Sequence, residues 1–125
     1  GMSAVFTALA AVVSAGSRIV APRALFGSTL VIFDDILARW GVRTDYVDGH
    51  VLEQWEAALA TPADVVFFET PSNPMQDIID VRAVADLAAT LSAHCDAGGM
   101  VMLTTHQDAP FSRPPDVLDV GVFAC

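Results

Sequence analysis

The sequence predicts an α/β domain: a three-layer sandwich in which a parallel sheet carries helices on both faces. Three observations lead there. Segments of helical composition or spacing alternate along the chain with short apolar runs of strand length. The apolar fraction is 54% and only 17% of residues are charged, a balance that suits strands covered on both faces. Gly or Pro punctuates most of the runs. A first helix followed by repeated strand–helix units implies a parallel sheet with right-handed crossovers.

Met2–Ala15 has helical composition, and Gly16 supplies a C-terminal stop. Arg18–Ala21 is a short apolar run between Gly16 and Pro22, hence a strand. Over Ser28–Trp40, the residues Leu30, Ile32, Phe33, Ile36, Leu37 and Trp40 recur at i+3 and i+4 spacing. Asp34, Asp35 and Arg39 fall to the wet side of that helix, and Gly41 closes it. Arg43–Val47 is a strand, Val51–Ala60 a helix ended by Thr61-Pro62, and Asp64–Phe68 a fully buried strand. Thr70–Gln76 is a loop with two prolines. Asp80–Ala93 is a helix with Asp80 as its N-cap. Gly98-Gly99 turns the chain into a strand at Met100–Thr104, and Val117–Phe123 is the fifth strand. No internal repeat or linker interrupts the 125 residues, so one domain is expected.

Charge and composition exclude several functions. A formal charge of −9 repels phosphates and argues against a nucleic-acid partner. No basic amphipathic helix is visible, so a membrane surface is not expected to be a partner. Met2–Ala15 is apolar, but no cation precedes it and it is too short to span a bilayer; a buried helix is the reading. Cys95 and Cys125 are too few for a disulfide framework or a Cys-based zinc site, and a reduced cytoplasmic setting fits. All six cations are arginines, and there is no lysine.

In open parallel sheets, functional groups gather beyond the carboxyl ends of the strands. Four loops are therefore expected at one edge: Pro22–Gly27, Asp48–His50, Glu69–Gln76 and Thr105–Pro110. They carry Arg23, Phe26, Asp48, Glu69, Asn73, His106 and Asp108. Glu69 is placed either to cap a neighbouring helix or to pair with Arg23. His94-Cys95 reads as a helix end with an ordinary thiol, since adjacent residues rarely face each other and no oxyanion hole accompanies them. His50, His106 and Asp108 do not follow a metal-ligand spacing, and no metal is expected. Asp34-Asp35 sits within a helix and reads as solvated surface.

Three segments in order carry a family resemblance: Gly1-Met2-Ser3-Ala4-Val5 opening a helix, Ala24-Leu25-Phe26-Gly27-Ser28-Thr29, and Phe67-Phe68-Glu69-Thr70-Pro71-Ser72-Asn73-Pro74 leaving a buried strand. Together they resemble the Cys/Met-metabolism family of pyridoxal-phosphate (PLP) enzymes. The Leu-Phe-Gly-Ser run, Arg39-Trp40-Gly41 and Tyr46-Val47-Asp48-Gly49 look most like its O-succinylhomoserine sulfhydrylase branch. The likeness is close from residue 1 to about residue 90 and weaker afterwards. It covers part of the family's cofactor domain.

The resemblance implies a parallel five-stranded sheet in the order 2-1-3-4-5. It implies that Gly1 and Met2 lie in the turn that holds the cofactor phosphate at a helix N-terminus. Phe26 matches the ring that stacks on the pyridine, and Asn73 the amide near the phenolic oxygen. Departures follow. Thr104 stands where the family carries the Asp that pairs with the pyridine nitrogen, a charged contact of about 3–4 kcal/mol by analogy with other preorganised groups. Ala124 stands for a phosphate-binding Ser. The lysine that anchors the cofactor is not among these residues. The chain is therefore expected to be a catalytically incomplete relative with no covalently held PLP. The alternative is a non-catalytic module for a small ligand or for oligomer contacts. Strands missing from one end of the sheet would leave an apolar edge, so a homo-oligomer, first a dimer, or a partner enzyme chain is expected to cover it.

Overall fold

The structure, a computed structural model, describes residues 1–72, 93 and 95–105. Helix α1 spans Met2–Val12 and is followed by strand β1, Arg18–Pro22. A helical stretch starts with α2, Gly27–Val31, runs through a π-helical turn at Ile32–Ile36 and ends in a 3₁₀ turn at Leu37–Trp40. Strand β2 is Arg43–Val47, helix α3 Leu52–Leu59, β3 Val65–Thr70 and β4 Met100–Thr105.

All strand pairs are parallel and the described sheet has the order β2-β1-β3-β4. This is the expected 2-1-3-4 part of the sheet. The expected fifth strand, Val117–Phe123, lies outside the described residues, as does the helix expected over Asp80–Ala93 up to its last residue. Parallel neighbours need crossovers, and the observed helices supply them on both faces. Strand side chains alternate accordingly. Ile19, Ala21, Val65 and Phe67 join a core with Leu9 of α1 and Leu25, Ile32, Phe33 and Leu37. Val20, Val66 and Phe68 point the other way and meet Trp55 of α3, Val47 and Ala63. The three layers are thus filled by two cores, one on each side of the sheet.

Helix α1 forms because Met2, Val5, Phe6, Leu9 and Val12 recur at helical spacing and all pack on the first core. It stops at Val12, three residues before the expected Ala15. Val13 turns extended, with φ −97 and ψ 149. Ser17 Oγ accepts the Ser14 N–H at 2.9 Å, and Gly16 sits in that turn at φ 88, so the glycine serves the turn rather than the helix end. The helical stretch reaches Trp40 as expected, and Gly41 at φ 81 closes it. Its π-helical turn was not legible in the spacing. That turn carries an additional residue, which shifts the phase of the apolar side. Trp40 is accordingly 46% exposed rather than packed inward, touching Phe6 edge-on with ring centroids 5.7 Å apart.

Arg18 opens β1 as a buried cation. Its Nε donates to Asp45 Oδ2 at 2.7 Å, and its terminal nitrogens donate to the carbonyls of Ala58 (2.8 Å), Thr61 (2.8 Å) and Pro62 (3.3 Å). These carbonyls close the C-terminal end of α3, where a cation is favoured by the helix dipole. The Arg18 N–H donates to Asp64 Oδ2 at 2.7 Å. One side chain therefore ties β1, β2 and α3 together at the amino edge of the sheet, opposite the candidate site.

Candidate functional site at the carboxyl edge of the sheet

The register brings the expected loops together. Pro22 pairs with Val47, and Glu69 with Thr104, so the chain leaves all four described strands at one edge. The Arg23 N–H donates to the Val47 carbonyl at 3.0 Å, which fastens the first two exits. A short turn joins α1 to the amino end of β1. The helix therefore runs back against the strand and starts at this same edge.

At the start of α1, the Gly1 carbonyl accepts the N–H groups of Ala4 (3.0 Å) and Val5 (3.4 Å). No side chain caps the helix. The N–H groups of Met2 and Ser3 lie before the helical ladder begins. A Cβ at Gly1 would meet nothing within 4 Å. An eleven-residue helix start of this kind suits an anionic group.

Phe26 precedes α2 and is 37% exposed. Its position is set by Glu69, which rises from the end of β3. Glu69 Oε2 accepts the Phe26 N–H at 3.0 Å, and Oε1 accepts the Thr29 hydroxyl at 3.0 Å. The carboxylate thus caps α2 from another element, which local sequence does not supply. Of the two roles open to Glu69 in the sequence, it takes the helix-capping one. Arg23 instead lies over the Tyr46 ring, 5.7 Å from its centroid. The Tyr46 hydroxyl donates to Asp34 Oδ1 at 2.8 Å. Burial first, and then that hydrogen bond, hold the phenol well above its ordinary pKa. Tyr46 therefore remains a neutral donor.

Replacing Glu69 with Ala is expected to cost about 1–2 kcal/mol, the range for losing a helix cap and leaving a buried donor unpaired. Glu69→Gln, which keeps one acceptor, is expected to cost less than half as much. Urea denaturation of the two variants checks this, and equal stability of Glu69→Ala and the parent would contradict it.

The remaining expected site residues divide. Thr104 lies in β4 beside Glu69, at the exit edge. Asn73, His106, Asp108 and Ala124 lie outside the described residues. Asp48 is occupied locally: its Oδ1 accepts the His50 N–H at 3.0 Å, and its own N–H donates to Gln54 Oε1 at 2.8 Å. Among the described residues no group of three His, Cys, Asp or Glu could hold a metal ion. Cys95 is an exposed free thiol. No helix among the described residues is long and apolar enough to cross a membrane. The residues that sequence reasoning did not single out are Thr29 and Arg18. Thr29 could have been found as the hydroxyl one helical turn after Phe26.

Residues 1–104 match the sequence profile of the family described as Cys/Met metabolism PLP-dependent enzyme. An O-succinylhomoserine sulfhydrylase of Mycobacterium tuberculosis is 57% identical over 93 residues, 74% of this chain and 23% of that protein. An L-methionine gamma-lyase of Porphyromonas gingivalis is 34% identical over 121 residues, 97% of this chain and 29% of that protein. A different kind of protein also matches. The cytochrome c biogenesis ATP-binding export protein CcmA of Aromatoleum aromaticum is 67% identical over 46 residues, 37% of this chain and 22% of that protein. Among solved structures, cystathionine gamma-lyase from Lactobacillus plantarum complexed with L-serine superposes with a TM-score of 0.70 at 30% identity. The superposition covers 82% of this chain and 25% of that one. The chain spans about a quarter of the length of the sulfhydrylase and lyase relatives.

Proposed function

Because the chain belongs to the Cys/Met-metabolism family of PLP-dependent enzymes, we propose that it is an incomplete cofactor domain of the O-succinylhomoserine sulfhydrylase kind, unable to carry out that sulfur transfer by itself. The observation that carries this reading is the absence of lysine from all 125 residues. PLP, when bound, supplies an electron sink for chemistry at an amino-acid carbon, and the protein supplies anchoring, ring activation and orientation. The described residues suit part of that work. The start of α1, which no side chain caps, is suited to the phosphate, and the exposed Phe26 ring to one face of the pyridine. Glu69 holds Phe26 in place and is spent on that task. At residue 104 a hydroxyl residue offers no charge to pair with the ring nitrogen, so the anchor and the activating acid would have to come from outside these residues. A cytoplasmic setting with reduced thiols suits this reading.

A second reading, an interaction module, is favoured by one observation. Val31 and Trp40, on the helical stretch that covers the first core, are 49% and 46% exposed. Either a second copy or a partner enzyme chain would suit that surface.

The chain incubated with O-succinylhomoserine, sulfide and PLP is expected to give no product above a protein-free control. Sustained turnover would overturn the first reading.

A further inference from the structure

We infer that the chain is a fusion of two unrelated segments joined near residue 80, and that β4 is not the family's ring-binding strand but a strand of other origin. The three motifs that carry the family likeness lie at residues 1–5, 24–29 and 67–74. A 93-residue match that includes them covers the N-terminal part and leaves about a quarter of the chain outside. The 46-residue match to the ATP-binding export protein cannot share most of that stretch. At 57% and 67% identity to the same residues, a sulfhydrylase and an export protein would then have to share at least about a quarter of their residues there, although they are different kinds of protein. With the sulfhydrylase match at the N-terminal side, a 46-residue match kept largely apart from it would occupy the C-terminal end, from about residue 80 to Cys125. The family profile itself runs to residue 104, and an L-methionine gamma-lyase matches at 34% identity over 121 residues; a shared succession of helix and apolar strand past the join is enough to carry that weaker likeness.

The departures agree. Thr104 stands at the last residue of the family-profile match and Ala124 lies past it, while residues 1–74 keep every quoted motif. Gradual decay of one ancestor would scatter losses along the chain. Replacement of a segment gathers them behind one join. The sheet tolerates such a join for a simple reason. β3 offers four buried apolar residues, Val65–Phe68, and Met100–Leu103 is an apolar run beside them, in strands that pair residue for residue from Val65↔Met100 to Thr70↔Thr105. Backbone hydrogen bonds between parallel strands do not depend on ancestry. Side-chain positions at the exit edge do. Thr104 is therefore not a worn-down acid, and the inherited cofactor face ends before the join.

Two variants of the full chain test this. In the first, Thr104→Asp restores an acid at the strand exit. In the second, residues 80–125 are replaced by the corresponding residues of the Mycobacterium tuberculosis sulfhydrylase. PLP affinity by equilibrium dialysis and the melting temperature are measured for both. Fusion predicts less than a twofold change in affinity for Thr104→Asp. It predicts a melting temperature raised by several degrees and at least tenfold tighter PLP binding for the replacement, which restores a matched β3–β4 seam. Tenfold tightening by Thr104→Asp alone would show a single ancestor that lost one acid, and would overturn the inference. So would a replacement variant that gains neither stability nor affinity, or that fails to fold.

Discussion

Replacing Phe67 with Ala is expected to lower the unfolding free energy by about 4 kcal/mol, within the range for truncating a buried aromatic. Phe67 is fully buried at the middle of β3. It faces the first core and meets Phe33 edge-on, with ring centroids 5.4 Å apart. Ile19, Leu9 and Leu37 share that core. They belong to three other elements and cannot all move in to fill the space, so the cavity persists. Phe67→Leu, which keeps most of the volume, is expected to cost about 1.5 kcal/mol or less. Urea unfolding should show a lower midpoint with an unchanged slope. A loss below about 1 kcal/mol for Phe67→Ala would mean that β3 is not central to the sheet.

Arg18→Ala is expected to cost about 3 kcal/mol, the lower end of the range for breaking a buried charge pair. The lower end applies because the Asp45 side chain is 38% exposed while that of Arg18 is 10% exposed. Water recovers part of the carboxylate's loss. The carbonyls of Ala58, Thr61 and Pro62 lose their shared donor at the end of α3. Arg18→Lys is expected to recover less than half of the loss, because an ammonium cannot reproduce the guanidinium fork. The melting temperature of Arg18→Ala should fall by roughly 10 °C, taking about 3–4 °C per kcal/mol for a chain of this size. An unchanged melting temperature would show that the α3 end and β2 do not depend on this residue.

Much of the fold could be read in the sequence, because a parallel sheet buried on both faces leaves a local signature. Val65–Phe68 and Ile19–Ala21 are continuous apolar runs, and the structure buries them on alternating sides. Their exits at one edge follow from parallel pairing alone. The misplaced features depend on distant partners. The end of α1 is decided by a Ser14–Ser17 turn and the contact of Gly16 with Gly41, whose carbonyl accepts the Gly16 N–H at 3.2 Å. The exposure of Trp40 is decided by a π-helical turn four residues earlier. The role of Arg18 has no local sign, since its acceptors lie at positions 45, 58, 61 and 62. Phe26 could be singled out from its motif. What holds it, Glu69, was recognisable only as a strand-end carboxylate with two possible partners.

The claim that a stacking and phosphate face survives without an anchor is tested most directly by PLP binding under reducing and non-reducing conditions. The account predicts saturable, reversible binding that Phe26→Ala weakens about tenfold, the factor for a stacking contact worth about 1.4 kcal/mol. After borohydride reduction and desalting, intact mass should show no cofactor retained on any internal residue. Absence of saturable binding, or an affinity indifferent to Phe26→Ala, would contradict it.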